Sequence, residues 1–83
     1  MRHRRFAVAA AVAHDIELVA RRGDLMVAER DGAEVLDWEL ILHSVEAVDL
    51  ERAPYRLGMQ TDEGLLVGPA VLVRSDGRCH VFR

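Results

Sequence analysis

Turn-forming residues recur along this chain about every ten positions, and this spacing constrains the fold more than any other feature. They are Gly23, Gly32, Ser44, Pro54, Gly64 and Gly77. Short strands separated by turns at that spacing are typical of small antiparallel barrels and rolls. A chain of 83 residues also has the length of one small domain. We therefore predict a single domain over residues 1–83, without a second domain, a linker or an internal repeat.

The N-terminal segment fits two secondary structures. Over residues 4–22, apolar side chains recur at helical spacing, and the stretch holds six alanines, the strongest helix former. Gly23 suits the position just after such a helix. The same stretch also alternates as a strand does, with Phe6 and Val8 on one side. We predict an α+β, β-rich fold, in which an N-terminal helix packs on a small antiparallel barrel or curved sheet of five to six short strands. An all-β small barrel is the alternative.

Residues 24–38 predict the first hairpin. Asp31-Gly32 is a strong signal for a two-residue turn. Pairing outward from that turn places Val27 opposite Leu36, and Leu25 opposite Trp38. Because side chains alternate along a strand, these four lie on one face, which indicates an antiparallel pair with one buried side.

The middle of the chain is less clearly patterned. Residues 38–51 fit a helical stripe or an alternating strand, and both interpretations stay open. Residues 55–61 alternate as a strand, and residues 62–64 form a turn into an apolar run. Gly68-Pro69 then predicts another turn or a kink.

The last hairpin is predicted from Asp76-Gly77, a second two-residue turn signal. Pairing outward places Val73 opposite His80 and Val71 opposite Phe82. Both faces of the 70–83 hairpin are then apolar, and such a strand pair is covered on both faces. Strands at the end of a chain can also leave an unpaired edge, which other chains can join.

These patterns together predict the hydrophobic core. It consists of Val8, Val12, Ile16, Val19, Leu25, Val27, Leu36, Trp38, Ile41, Leu57, Met59, Leu66, Val71, Val73, Val81 and Phe82.

Charge and composition exclude several classes of protein. The net charge is −3, and residues 31–51 hold seven acids and no arginine, so a dedicated nucleic-acid binder is not expected. The basic start and the apolar run that ends at Ala13 are too short for a signal peptide or a membrane span. We predict no membrane association. A lone Cys79 fits a reducing compartment, so we expect the protein in the cytoplasm.

The sequence provides no recognisable catalytic or metal-binding pattern. His3, His14, His43, Cys79 and His80 do not form any of the usual ligand spacings. Cys79 and His80 are neighbours, so on a strand their side chains point to opposite faces and cannot act together easily. We predict no catalytic residue, no metal and no cofactor.

Arginines offer the alternative of an anion site. A β-barrel could bind a nucleotide-like anion through Arg2, Arg4, Arg5, Arg52 and Arg56.

Residues 2–6 resemble the arginine-rich start of PilZ domains, β-barrels that bind cyclic di-GMP. That family has R-x-x-x-R followed by D-x-S-x-x-G. Here Met1 replaces the first arginine of the first motif, and residues 49–54 have Glu for Ser and Pro for Gly. The resemblance covers only these two segments, so it implies a nucleotide-binding barrel as an alternative rather than family membership.

The function predicted from these patterns is a non-catalytic interaction or oligomerisation module that associates with itself, with a further protein partner as a possibility. The predicted interface consists of Val71, Val73, Cys79, Val81 and Phe82. The alternatives are the anion-binding barrel and an enzyme subunit whose active site needs a partner chain.

Overall fold

The computed structural model describes residues 2–29, 32 and 37–83. These residues form a closed antiparallel barrel of six strands, which are neighbours in the order β1-β2-β3-β6-β5-β4. The strands are β1 (Arg2–Ala13), β2 (Ile16–Glu29), β3 (Asp37–Ser44), β4 (Pro54–Thr61), β5 (Gly64–Asp76) and β6 (Cys79–Phe82).

The barrel combines two three-stranded meanders. Strands β1 to β3 follow one another in the first, and β4 to β6 in the second, with β1–β4 and β3–β6 pairing between them. Residues 45–53 connect the two meanders without forming a strand, and Leu50 in this connection is buried. Nowhere in the described parts of the chain is there a helix with the length and apolar character needed to cross a membrane.

The predicted N-terminal helix is wrong, and the all-β alternative fits. Residues 4–22 lie in β1 and β2, which meet at a turn formed by His14 and Asp15. The reason is an irregularity in the β1–β2 pairing between Ala7 and Ala10. Inward positions on β1 are therefore 6, 8, 11 and 13 rather than strictly alternate residues. Alternation interrupted in this way imitates the spacing of a helix.

Gly23 lies on β2, at a point where β2 passes very close to β1. A Cβ atom at this position would lie 2.5 Å from the carbonyl oxygen of Val8 and 2.9 Å from its Cβ. The glycine is thus required by a close backbone approach, and not by the end of a helix.

Both predicted hairpins exist, but with different registers. Val27 pairs with Trp38, and Leu25 pairs with Leu40. The predicted turn at Asp31-Gly32 and the predicted pairing of Val27 with Leu36 involve Asp31 and Leu36, which lie outside the described residues.

The second hairpin turns at Gly77 and Arg78, because Asp76 pairs with Cys79. Gly77 has φ 63°, the positive value that a type II′ turn requires at its first central position. Together with an irregularity between Leu72 and Arg74, the changed turn places Leu72 opposite Phe82.

Of residues 38–51, which fitted a helix or a strand, residues 38–44 form a strand and the rest lie in the 45–53 connection. Residues 37–44 are β3, with Leu40 and Leu42 buried and Ile41 exposed between them. Strand β4 has the predicted alternation, whereas β5 continues through Gly68-Pro69 without a turn.

The core fills the barrel interior. Its buried hydrophobic members are Phe6, Val8, Ala11, Ala13, Leu18, Leu25, Leu40, Leu42, Leu50, Tyr55, Leu57, Met59, Ala70, Leu72 and Phe82. Seven residues predicted for the core are instead exposed on the outer face or at an open end: Val12, Ile16, Val19, Ile41, Leu66, Val71 and Val73.

Candidate functional site

The structure does not bring the five candidate arginines together. Arg4 lies near the turn between β4 and β5, where its Nη2 is 3.4 Å from Oε1 of Glu63. Arg56 lies at the other end of the barrel, where its carbonyl accepts a hydrogen bond from the His14 N–H. The β1 segment between these two ends is roughly 30 Å long. Arg52 is exposed in the 45–53 connection, and Arg2 and Arg5 are exposed on β1.

A broad groove of about 680 Å³ lies beside Arg5, and its charges are mixed. Two of its cations already have carboxylate partners: Arg22 Nε is 3.1 Å from Asp24, and Arg83 Nε is 2.8 Å from Glu39. These acids oppose the approach of a phosphate, since its charge has the same sign as theirs. The groove therefore lacks the concentration of unpaired cations that an anion site needs.

A polar cluster that the sequence did not indicate lies inside the barrel around His80. The imidazole is fully buried, with Ser75 Oγ 2.8 Å from Nδ1 and Ser44 Oγ 3.2 Å from Nε2. Ser44 also donates to the carbonyl of Glu46 at 2.6 Å. Since its single proton is used there, Ser44 accepts from Nε2–H, and Ser75 donates to Nδ1. The cluster is thus a continuous chain of hydrogen bonds.

Burial lowers the pKa of His80, the backbone carbonyl of Gly77 opposes this effect, and the nearby His43 adds to it. The imidazole is consequently neutral near pH 7, and both ring nitrogens are satisfied. Ser75 is only partly buried and points its proton at an imidazole, as nucleophilic serines do. A nucleophile also needs donors for an oxyanion and a cleft for substrate. Ser75 does not line any of four cavities on the described part of the chain.

The sequence did not reveal this cluster because the predicted register of the last hairpin was wrong. Turning the chain at Asp76-Gly77 places Val73 opposite His80, whereas the observed partner is Ser75. A turn at Gly77-Arg78, with glycine at the first central position, is the signal that would have revealed it. Cys79, on the opposite face from His80, is half-buried and carries a free thiol. Within residues 2–29, 32 and 37–83, His, Cys, Asp and Glu side chains do not converge in a group able to hold a metal.

Most of strand β5 carries an uncharged, apolar outer surface. From Gly64 to Val73 it has no charged residue. Its outward side chains over this stretch are all apolar: Leu65, Val67, Pro69, Val71 and Val73. Leu65 is 64% exposed, Val67 53% and Val71 46%. We refer to these five residues as the β5 stripe.

The first half of β5 is also a sheet edge. Strand β6 has only four residues, and it pairs with β5 from Leu72 onward. Residues 64–70 pair with β4 on one side, and no described strand pairs with them on the other. Native proteins usually protect such edges with charges or proline. Here Pro69 is present, but charges are not.

A small apolar slot opens beside this edge. It has a volume of about 170 Å³ and lies between β2, β3, β4 and β5. Its lining consists of Leu25, Val27, Trp38, Leu57, Met59, Leu66, Val67 and Gly68. The slot gives an apolar side chain a place to enter the open end of the barrel.

The predicted interface residues differ in their placement. Val71 and Val73 are exposed, and Cys79 and Val81 are half-buried on the outer face. Phe82 is fully buried in the core, so its side chain is not on the surface. Strand β6 pairs with both β3 and β5, which means that the free edge belongs to β5 and not to the end of the chain.

Comparison of the chain with known protein families, with curated proteins and with solved structures found no match in any of the three.

Proposed function

We propose that this protein is a non-catalytic interaction module that associates with itself through β5. The observation that carries the proposal is the β5 stripe, which combines exposed apolar side chains with a half-length unpaired edge. The proposal locates the module in the cytoplasm, where the free thiol of Cys79 would stay reduced.

Symmetry supports a second copy as the partner. In a two-fold interface the same surface occurs on both sides, so charged residues near the axis face charges of their own sign. The stretch from Gly64 to Val73 has no charges, so two copies of it can face each other without repulsion between like charges. Exposed apolar patches on small proteins commonly mark such interaction surfaces.

The exposed surface of the chain shows what fraction of it a stable dimer would bury. A stable interface buries about 800 Å² per partner. The chain exposes 5695 Å² in total, so a dimer would cover about a seventh of it. An interface on that scale would have to include the β5 stripe and its neighbours on the barrel wall.

The test is the mass in solution over a concentration series, measured by sedimentation equilibrium. We expect the wild type to form a homodimer or a larger assembly at micromolar concentration. The double variant Val67→Glu, Val71→Glu places two charges on the β5 stripe and should be a monomer.

The matched control is the double variant Val19→Glu, Val45→Glu. These two valines are 53% and 52% exposed, so the added charges are similarly solvated, but they lie outside the β5 stripe, on β2 and in the 45–53 connection. The control should assemble as the wild type does. A wild-type protein with the mass of one chain at micromolar concentration would overturn the proposal.

A further inference from the structure

We propose that two copies of this chain pair β5 with β5 in antiparallel orientation. Val67 lies on the two-fold axis, and Leu66 of each protomer enters the apolar slot of the other beside Gly68. This inference rests on the proposed self-association and adds the partner strand, its register and the side chain that docks.

The orientation of the backbone groups on β5 follows from its bonds to Arg83. Val71 donates to the carbonyl of Arg83 at 2.7 Å, and its own carbonyl accepts from the Arg83 N–H at 2.9 Å. Backbone groups of alternate residues point to the same side of a strand. Leu65, Val67 and Pro69 therefore direct their backbone groups toward the free edge.

These edge groups restrict the register of a second β5. With Val67 on the axis, Val67 exchanges two hydrogen bonds with the partner's Val67. Leu65 then donates to the carbonyl of the partner's Pro69, and by symmetry the partner's Leu65 donates to the carbonyl of Pro69. Proline has no N–H to leave unsatisfied at that position, which is the placement that sheet edges tolerate. An axis at Gly68 would lose bonds, because Val71 already pairs with Arg83.

An axis at Leu66 would retain as many backbone bonds, so the side chains decide between the two registers. That axis sets Leu66 against the partner's Leu66. The axis at Val67 sets Leu66 against the partner's Gly68, where no heavy atom beyond the glycine and its two chain neighbours lies within 4 Å of the place a Cβ would occupy. The open space at Gly68 therefore receives the leucine.

The slot is suited to an aliphatic side chain. Its volume of about 170 Å³ is several times the roughly 30 Å³ that one water molecule takes in the liquid. Its lining side chains are apolar, so water inside would find few hydrogen-bond partners. Leu66 is 42% exposed in the single chain and would lose much of that exposure inside the partner's slot.

Disulfide trapping tests the register directly. In a Cys79→Ser background, Val67→Cys should form an intermolecular disulfide under mild oxidation. The Cα atoms of a hydrogen-bonded antiparallel pair are about 5.5 Å apart, which is within the range that disulfides span. Leu65→Cys is the control, because the partner's equivalent residue would be roughly 14 Å away along the strand. Mixing Leu65→Cys with Pro69→Cys should cross-link the two different chains.

The outcomes separate this inference from the proposed function. The wild type could be a dimer while Val67→Cys fails to cross-link, or while Leu65→Cys cross-links equally well. Either result would overturn the register and leave self-association intact. A monomeric wild type would overturn both.

A second variant tests the docking of Leu66. Gly68→Leu fills the slot from within its own chain, where open space lets the monomer fold. It should weaken the dimer at least tenfold, as should Leu66→Ala. Unchanged dimer dissociation constants in both variants would contradict the docking of Leu66.

Discussion

The imidazole of His80 shows how a single residue couples the barrel interior to pH. It is fully buried, and its two ring nitrogens are bonded to Ser44 and Ser75. A buried polar group with all partners in place costs little, whereas a buried charge is expensive. Protonation of Nδ1 would also turn the acceptor of the Ser75 proton into a donor. The residue therefore stabilises the barrel only while it is neutral.

The folded protein should lose stability as the pH falls below about 6.5. Burial lowers the pKa of His80 from its ordinary value of 6.5, so the unfolded chain binds this proton more readily than the folded one. The contribution is fully present above pH 6.5 and is lost as the pH falls toward the pKa of the folded state. Urea unfolding between pH 8 and pH 5 measures the free energy of unfolding.

The variant His80→Asn isolates this contribution, since it keeps a polar side chain but cannot titrate. The difference in stability between wild type and variant should shrink on acidification. Titration of the His80 ring protons by NMR gives the pKa of the folded state independently. A midpoint at or above 6.5 would show that folding does not lower the pKa of His80.

At the level of the strands, irregular pairing explains what the sequence could and could not predict. Strand β4 has unbroken alternation, and its inward Leu57 and Met59 were correctly assigned to the core. Strand β1 changes phase between Val8 and Ala11, and an alanine-rich strand with such a step looks like a helix. Local spacing alone cannot locate a bulge, because the bulge depends on the neighbouring strand.

The apolar surface on β5 was only partly predicted from the sequence. The apolar character of Val71 and Val73 was evident, but their assignment to the core assumed that both faces of the hairpin are covered. In the barrel one face of β5 turns inward, and its outer face stays uncovered. Among the described residues, residues 64–70 have an unpaired edge because β6 pairs with β5 only from Leu72 onward, which no pattern within β5 indicates.

The turn between β5 and β6 should be sensitive to its first residue. Gly77 has φ 63°, which costs most L-residues about 1–2 kcal/mol. Gly77→Ala should lower the free energy of unfolding by about that amount. Gly77→Asn should be less harmful, because asparagine tolerates this conformation better. Urea unfolding of both variants at pH 8, where His80 is neutral, measures the effect, and equal stability in Ala and Asn would contradict the turn assignment.

The whole molecule is small for a closed barrel, and the proposed self-association would add to its stability. A chain of this length buries only roughly 60% of the surface that it exposes when unfolded. Its side chains must fill the interior, so several large apolar residues remain on the outer face of the barrel. Burying some of them between two copies would add stability that the single chain cannot supply. In the proposed dimer, folding and assembly would depend on the same strand.

The melting temperature of the wild type should therefore rise with protein concentration. Association of folded chains draws the equilibrium away from the unfolded state, and the effect grows with the ratio of concentration to the dissociation constant. At a concentration of 100 times that constant, the stabilisation is about 2.7 kcal/mol. Calorimetry from micromolar to millimolar concentration should show the increase for the wild type and for Val19→Glu, Val45→Glu. The variant Val67→Glu, Val71→Glu should melt at one temperature throughout. If its melting temperature rose as steeply as that of the wild type, the assembly surface would lie elsewhere than on β5.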